Sequence, residues 1–452
     1  MKTLIKGATL VNEGQTQNAD VLLADAHIER IDPIISSGSF HREINAEGLF
    51  LLPGLIDDQV HFREPGLTHK ATIYSEAKAA VAGGVTSYME MPNTVPPAVT
   101  LQRLEEKFRI AQTTSLANFS FYLGASTDNI EEIKRLNPRQ VAGLKIFMGS
   151  STGQLVVDDD DALENIFRHC PTLIATHCET DAIIRQNEDN HRRRYGAAIP
   201  MSCHPEIRNA WQCLLSTRKA IALARSHRAR LHVLHLTTSD ELPLFEAHNR
   251  LEEKQITAEV CVHHLLFSAA DYERLGPLIK CNPAIKAEEH RQALWKALAE
   301  DRLDVIATDH APHTWEEKMS TTPDGRPDYF RIPSGLPLVQ HGLNIMLQFF
   351  HQGKITLTGI VEKMCHAPAR LFRVSRRGFL REGYFADLVL LDLQHTWQVG
   401  KDNILYRCGW SPLEGHQLKG KVTHTFVNGR LTYHNGLFDE SCNGMRLEFD
   451  RA

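Results

Sequence analysis

The sequence has no long hydrophobic run and no strong charge of either sign. No apolar stretch reaches the ~18 residues of a membrane-spanning helix, and the N-terminal segment lacks the long apolar stretch of a signal peptide. The formal net charge is −5 over 452 residues, which offers no basic surface for nucleic acid or for an anionic membrane. We therefore expect a small-molecule substrate, with no nucleic acid and no membrane among the partners. The sequence leaves a homodimer open.

Cysteine patterning is also absent. The nine cysteines are scattered along the chain, and no two form a C-x-x-C pair. An odd and unpatterned set is typical of reduced thiols rather than of a disulfide framework. The sequence therefore predicts a cytoplasmic location.

Phosphate-binding loops are the third absence. Neither a G-x-G-x-x-G nor a G-K-[ST] segment is present, which disfavours a doubly wound open sheet. The chain instead alternates short apolar runs with helical patterns across its middle. Such alternation over roughly 300 residues predicts a parallel sheet, and at that length a (β/α)8 TIM barrel.

Both ends of the chain differ from the middle. Alternation of apolar and polar residues at 2–10, 20–24 and 27–31 predicts short strands, and 386–393 is also strand-like. The segment Val427-Asn428-Gly429-Arg430 is a hairpin signal. We therefore predict an α/β fold in which residues 51–379 form the barrel, while residues 1–50 and 380–452 together form one small β-sandwich domain.

Side chains that bind metals follow several of the apolar runs. His61, His177, His235 and Asp309 come at or just after runs that should be barrel strands. The carboxyl ends of barrel strands meet at one face, where active sites lie. Imidazole and carboxylate are ligands that zinc takes from proteins. A single histidine of this kind is most often structural, but the set predicts a metal site.

Lys145 lies inside the apolar run 141–148. A buried ammonium without a partner is costly, so the structural interpretation is a lysine that reaches solvent or pairs with a carboxylate. The functional interpretation is a carbamate formed with carbon dioxide, whose two anionic oxygens can bridge two metal ions. The residue pattern alone favours the structural interpretation.

Several segments together resemble the dihydroorotases of the amidohydrolase superfamily. They are PGLIDDQVHFREPG at 53–66, GVTSYMEMPNT at 84–94, GLKIFMGSSTG at 143–153, KCNPAI at 280–285, ATDHAPHT at 307–314, EKMCHAPARLF at 362–372 and CGWSPLEGH at 408–416. ATDHAPHT and MPNT are the most specific, and the resemblance covers nearly the whole chain. It implies metal-dependent, reversible hydrolysis of (S)-dihydroorotate to N-carbamoyl-L-aspartate in de novo pyrimidine biosynthesis.

The resemblance also implies roles for individual residues. The implied metal ligands, for one or two zinc ions, are His61, Lys145 as a carboxylated bridging lysine, His177, His235 and Asp309. Asp309 would also be the catalytic general acid/base. The implied substrate-binding residues are Arg63, Asn93, Asn282 and His313, with all but Asn282 near the substrate carboxylate.

One position departs from the family pattern. The family has His-x-His where this chain has Gln59 before His61. A glutamine oxygen is a weaker zinc ligand than imidazole, so we expect the first metal position to be the weaker one.

Two alternatives stay open. Another cyclic amidohydrolase, of the dihydropyrimidinase or allantoinase type, would share the metal ligands. An uncharged ring, however, would not need the carboxylate-binding set of Arg63, Asn93 and His313. A non-catalytic, dihydroorotase-like assembly partner is the other alternative, and only Gln59 favours it.

Four further sequence segments carry signs of other functions or of local structure, and none outweighs the metal-site prediction. Residues 149–153 match the G-x-S-x-G of serine hydrolases, but no helix pattern follows at once. His177-Cys178-Glu179 fits half of a deaminase motif, but no P-C-x-x-C follows. The acidic run 158–161 is typical of a helix start, and the basic run 191–194 of a solvated face.

Overall fold

The computed structural model describes residues 1–36, 38–149, 155–248 and 250–451. Within them the strands form two sheets, one of nine strands and one of eight. The N-terminal strands all belong to the nine-stranded sheet. They are β1 (Lys2–Asn12), β2 (Gln15–Ala24), β3 (His27–Asp32), β4 (Arg42–Asn45) and β5 (Phe50–Pro53).

The eight-stranded sheet is parallel, and strands that follow one another in sequence pair with one another. Its strands are β6 (Leu55–Val60), β7 (Val85–Glu90), β8 (Asn118–Gly124), β9 (Gly143–Phe147), β10 (Ile174–His177), β11 (Leu231–Val233), β12 (Ile256–Cys261) and β13 (Val305–Ala307). The segment after β13 returns to β6, because Val60 forms a parallel bridge with His310 and His61 N donates to His310 O at 2.7 Å. This contact closes the sheet, so the predicted TIM barrel is confirmed.

The C-terminal strands complete the nine-stranded sheet. They are β14 (Leu388–Gln398), β15 (Gln417–Val427), β16 (Arg430–His434) and β17 (Leu437–Phe438). The two ends of the chain meet where β14 pairs antiparallel with β5. Between β15 and β16, Asn428 (φ 51°) and Gly429 (φ 75°) are both left-handed, as the predicted two-residue hairpin requires. The domain boundaries at 50/51 and 379/380 stay a prediction.

Helices connect the barrel strands and cover the barrel. They are α1 (Ile73–Ala82), α2 (Leu101–Thr114), α3 (Ile130–Lys134), α4 (Asp160–His169), α5 (Asp181–Tyr195), α6 (His204–Ile207), α7 (Ala210–His227), α8 (Val262–Leu266), α9 (Tyr272–Leu275), α10 (Glu288–Ala299), α11 (Trp315–Lys318), α12 (Gly342–His351), α13 (Leu357–Val361) and α14 (Ala367–Phe372). None of these described helices combines the length and the apolar character that crossing a bilayer requires.

Local signals in the sequence begin several of these helices. The Thr72 hydroxyl accepts from Ser75 N at the start of α1, and an Asp159 carboxylate oxygen accepts from Ala162 N at the start of α4. The acidic run 158–161 therefore begins a helix, as its composition indicates. Most apolar residues of the barrel and its helices belong to one large core, and a second barrel cluster includes Met89 and Tyr122. The small sheet packs a further cluster that includes Ile5, Val21 and Leu388.

Candidate active site

A cavity of about 250 Å³ opens at the carboxyl ends of the barrel strands. Every site residue predicted from the sequence lines it: His61, Arg63, Asn93, Lys145, His177, His235, Asn282, Asp309 and His313. The rest of the described lining comes from Gln59, Phe147, Lys280, Ala311, Phe330 and residues 332–335. The fold thus brings the predicted residues together, while their chemical roles stay predictions.

Three of the lining residues have a left-handed backbone. The φ angles are 69° at Arg63, 40° at His235 and 46° at Asp309. A residue with a side chain adopts this conformation at a cost, and such residues concentrate at functional sites. The strain lies where the barrel strands end and the chain must turn while presenting a side chain to the cavity.

His177 and His235 form a close pair on one side of the floor. His177 Nδ1 lies 2.9 Å from His235 Nε2, and His177 Nε2 lies 2.9 Å from Glu179 Oε2. A carboxylate can only accept, so His177 Nε2 carries the hydrogen and Nδ1 faces His235. Burial lowers the pKa of His235 well below its ordinary value. The ring of His235 is therefore neutral, which is the form that binds metal.

Glu179 is a functional residue that the sequence interpretation missed. It is fully buried, and burial alone would raise its pKa, but Arg208 and the hydrogen bond from His177 lower the pKa to about 2. Gln212 Nε2 donates to its other oxygen at 2.7 Å. An ionised and fixed carboxylate of this kind orients the histidine that it contacts. Its place two residues after a predicted ligand was the signal that could have revealed it.

His61 and Asp309 form the second pair. His61 Nδ1 donates to Asn93 Oδ1 at 2.7 Å, so the lone pair of His61 Nε2 points towards Asp309 Oδ1, 3.2 Å away. Burial lowers the pKa of His61, which keeps the ring neutral. Two acceptors facing each other at this distance fit a cation shared by both. Asn93, predicted to bind substrate, therefore also orients His61.

Gln59 stands beside this second pair. Its side chain is buried and lines the cavity, and its Oε1 lies 3.7 Å from Cys261 Sγ. The oxygen thus has only a weak thiol contact among the described residues. The first metal position is the one formed by His61 and Asp309. That it is the weaker of the two stays a prediction.

Lys145 rises from β9 into the cavity and is 1% exposed. Among the described residues no carboxylate lies within 4.0 Å of its Nζ, and the centroid of the Phe147 ring is 4.6 Å away. Burial lowers its pKa to about 7, although Asp309 and Glu259 act in the opposite direction. The amine neither reaches solvent nor pairs with a carboxylate, and much of it is neutral at pH 7. This favours the carbamate interpretation, because a neutral amine is the nucleophilic form.

Arg63 and His313 line another wall, and Lys70, which contacts His313, pairs with Glu317 Oε1 at 2.9 Å. Lys70 Nζ donates to His313 Nδ1 at 3.1 Å, so His313 Nε2 carries a hydrogen, which it donates to Ser334 O at 3.1 Å. Arg63 Nη2 is 3.1 Å from the same Nε2 and cannot donate to it. Arg63 Nε donates to Pro312 O at 3.0 Å. The Nη2 hydrogens thus stay available to another acceptor.

Arg63 has no directly paired carboxylate in the described part of the chain, although Asp309, Glu90 and Glu317 act on its charge at longer range. Burial lowers its pKa to about 10, which still leaves it protonated at neutral pH. Within the described part of the chain, no carboxylate lies within 4.0 Å of the guanidinium. A buried arginine in this state is suited to an anionic group of a ligand.

Asn282 offers a free acceptor to the same cavity. Its Oδ1 is buried and has no hydrogen-bond partner among the described residues. Leaving a buried polar atom without a partner costs about 1–3 kcal/mol. An N–H group of a ligand would satisfy this oxygen.

Two buried lysines hold the segment 330–335 in place. Lys318 Nζ donates to the carbonyl oxygens of Lys280, Pro333 and Gly335 at 3.2, 3.0 and 3.1 Å. Lys280 Nζ donates to Ile332 O at 2.7 Å. Neither lysine was predicted to act here, because the carbonyls they bind are distant in sequence. They shape the wall of the cavity.

Four of the five predicted metal ligands form two close pairs rather than one compact cluster, and Lys145 belongs to neither pair. Their chemistry fits zinc, because neutral imidazoles and one carboxylate face an open cavity. Three compact groups in the described residues lie elsewhere and contain none of these ligands. They are Asp58 with His232 and Glu259, Cys261 with His263 and His264, and His191 with Cys203 and Glu206.

Of the two remaining sequence signals, the structure describes the basic run 191–194 but not most of the G-x-S-x-G segment. Residues 150–154 lie outside the described residues, so the G-x-S-x-G segment has no structural account. The basic run 191–194 ends α5, and its three arginines are exposed, as a solvated face should be.

Comparison with known proteins identifies the family. Residues 50–432 match the Amidohydrolase family. The chain belongs to this family. A dihydroorotase of Methanothermobacter thermautotrophicus is 31% identical to this amidohydrolase over 400 residues, covering 87% of the chain and 86% of that protein. An allantoinase of Deinococcus radiodurans is 29% identical over 455 residues, covering 98% of each.

A solved structure supports the same placement. The L-hydantoinase (dihydropyrimidinase) from Arthrobacter aurescens superposes with a TM-score of 0.90 at 27% identity, over 97% of each chain. The family and these relatives make the amidohydrolase a hydrolase of cyclic amides, of the dihydroorotase, allantoinase or hydantoinase type.

Proposed function

We propose that this amidohydrolase is a dihydroorotase, which interconverts (S)-dihydroorotate and N-carbamoyl-L-aspartate in de novo pyrimidine biosynthesis. The buried guanidinium of Arg63, with no carboxylate within 4.0 Å among the described residues, carries the proposal. Dihydroorotate has a carboxylate on its ring, whereas dihydrouracil, hydantoin and allantoin are uncharged. The charged guanidinium of Arg63, beside His313, suits the first substrate and is of no use to the others.

We further propose that His61, Lys145, His177, His235 and Asp309 hold one or two zinc ions. The facing acceptors of His61 and Asp309, and the neutral His235 opposite His177, support this set. A carboxylated Lys145 would add two anionic oxygens between the pairs. When bound, the ions supply a nucleophilic water at neutral pH and polarise the amide carbonyl.

Asp309 is the proposed general acid/base. Its carboxylate lines the cavity after β13, at the face where barrel enzymes place their catalytic groups. There it would accept a proton from the attacking water and return it to the ring nitrogen that leaves the carbonyl carbon. Asn282 Oδ1 would accept an N–H of the ring, which holds the amide in place.

A pair of substrates tests the proposal, because dihydrouracil is the dihydroorotate ring without its carboxylate. Arg63→Gln should lower kcat/KM for dihydroorotate by at least about tenfold, since a charge-assisted hydrogen bond contributes about 1.5–3 kcal/mol. Any turnover of dihydrouracil should be unchanged, and so should the zinc content. Arg331→Gln, at an exposed arginine near the same wall, is the matched control.

Each alternative gives a different result. Equal or better turnover of dihydrouracil, hydantoin or allantoin by the wild type would identify another cyclic amidohydrolase, as the Deinococcus relative would suggest. Equal losses on both substrates in Arg63→Gln would mean that Arg63 supports the fold instead. A protein that binds no zinc and opens none of these rings would be a non-catalytic assembly partner.

The cellular setting is part of the proposal. All nine cysteines are free thiols in the structure, which supports the proposed cytoplasmic location. The homodimer stays a prediction, to be checked by the mass of the protein in solution.

A further inference from the structure

A second polar group lies inside the barrel. Asp58 from β6, His232 from β11 and Glu259 from β12 are each 0% exposed. His232 Nε2 is 3.2 Å from Asp58 Oδ2 and 3.3 Å from Glu259 Oε2. The other Glu259 oxygen accepts from His235 N at 3.1 Å. The group is thus connected to the candidate active site but contains none of its proposed ligands.

The hydrogen bonds of His232 determine which of its nitrogens faces the carboxylates. Thr257 Oγ1 lies 2.9 Å from His232 Nδ1 and can donate its own hydrogen to Leu231 O at 3.3 Å. In that arrangement the hydroxyl accepts from Nδ1, and Nδ1 carries a hydrogen. Nε2 then either carries a second hydrogen, giving an imidazolium, or presents a lone pair between the two carboxylates.

The charge of this group is not balanced by any lysine or arginine. Four other buried carboxylates, those of Glu90, Glu179, Asp304 and Asp387, each pair with a lysine or arginine. Asp58 and Glu259 pair only with His232 among the described residues. Asp58 Oδ1 is also buried without a hydrogen-bond partner there. Two ionised carboxylates so close together in the interior are costly, and a divalent cation bound between them would neutralise both.

We propose that Asp58, His232 and Glu259 form a zinc site distinct from the ligand pairs of the cavity. Zinc bonds of about 2.0–2.2 Å place tetrahedral ligand atoms about 3.3–3.6 Å apart, close to the two distances observed here. Thr257 Oγ1 can accept from His232 Nδ1, which supports the tautomer that a ligating Nε2 requires.

One residue of the proposed site, Asp58, directly precedes Gln59, the position that departs from the family pattern. The pairing of β6 with β7 shifts register between Asp57 and Val60. Consecutive residues of a regular strand face opposite sides, but here Asp58 points into the barrel and Gln59 also lines the cavity. The strand therefore supplies a carboxylate directly before the position where an imidazole ligand is missing. This proposal does not depend on which cyclic amide is the substrate.

Because the site is enclosed, its ion should enter during folding and exchange slowly. The test is an anomalous difference map at the zinc edge from crystals of wild-type protein grown with zinc alone, together with zinc content after dialysis against a chelator. We expect a peak bonded to His232 Nε2, Asp58 and Glu259 that survives chelation longer than any peak in the cavity. In Asp58→Asn this peak should be lost and the zinc content should fall by one equivalent, while peaks at His177 and His235 stay.

Glu241→Gln is the matched control. Glu241 is also a buried carboxylate without a lysine or arginine partner, but Thr217 and Thr238 each donate to it at 2.6 Å. Zinc content should be unchanged there. A wild-type map with zinc in the cavity and no peak at His232 would overturn the proposal and show an imidazolium between two carboxylates. That map decides the matter even if Asp58→Asn fails to fold. Absence of zinc from the cavity alone would instead count against the proposed active site.

Discussion

The two ligand pairs of the cavity floor differ in how firmly they are held. The ionised Glu179 accepts a hydrogen bond from His177. Arg208 and Gln212 also contact this carboxylate and hold it in place. His61 is held by the neutral amide of Asn93, and beside it Gln59 stands where the family has a histidine. If both pairs bind zinc as proposed, the firmly held ligands of one position can compensate for weak zinc binding at the other. This requires that the catalytic water needs only one tightly bound ion.

Removing a ligand from the strong pair should have the largest effect. His235→Ala leaves His177 without its partner nitrogen, and the contribution of a catalytic ion is several kcal/mol, or roughly 10³-fold in kcat or more. We expect zinc to be lost as well. Steady-state kinetics with metal analysis will measure both, and near-normal activity with full zinc content would contradict the assignment of this pair.

Weakening the support that Glu179 gives to His177 should have the next largest effect. Glu179→Gln keeps the shape but loses the charge, and the loss of such a supporting group costs roughly 10–100-fold in metal affinity. It also removes the carboxylate that Arg208 contacts. The double variant Glu179→Gln/Arg208→Met removes the Arg208 charge as well, so affinity that stays low in the double variant assigns the effect to His177. Recovery of affinity in the double variant would show that misplaced charge was the cause.

Lys145, proposed to bridge the two pairs, should respond to pH. The pKa of its amine is lowered to about 7, so the neutral form that reacts with carbon dioxide increases as pH rises through 7. In metal-free protein supplied with 13C-bicarbonate, the carbamate signal should rise by roughly tenfold between pH 6 and pH 8. A carbon NMR titration measures it, with Lys145→Ala as the blank. A signal that is absent, or one that falls with rising pH, would contradict the carbamate.

Repairing the weak pair should have the smallest effect. Gln59→His restores the imidazole of the family pattern and should raise zinc occupancy of the first position by severalfold. Activity should rise less, because the pair of His177 and His235 is proposed to hold an ion already. Stepwise chelation followed by metal analysis compares the two positions. Two equivalents bound with equal affinity by the wild type, and unchanged in Gln59→His, would show that Gln59 is an adequate ligand.

The sequence was most informative where strand ends meet. Apolar runs followed by His61, His177 and Asp309 were sufficient to predict a barrel and its cavity, because parallel strands bring their carboxyl ends to one face. The roles of Glu179 and Lys318 were not predictable in the same way. Glu179 acts through Arg208 and Gln212, and Lys318 through carbonyls of a later segment, and such long-range contacts leave no periodic pattern in the sequence.

The group around Asp58 was missed for a related reason. Strand alternation predicts that Asp58 and Gln59 face opposite sides. The register shift between Asp57 and Val60 brings both to the interior, and no local residue preference announces that shift. His232 and Glu259 also lie inside apolar runs, where a single polar residue is commonly structural.

The measurement that tests the central claim most directly is the ratio of kcat/KM for dihydroorotate to that for dihydrouracil in zinc-loaded wild-type protein. The two rings differ only in the carboxylate that Arg63 is proposed to bind. A charge-assisted pair with the buried guanidinium predicts a ratio of at least about ten, and more if both Nη2 hydrogens are used. A ratio of one or below would contradict the account, because Arg63 would then have no role in choosing the substrate.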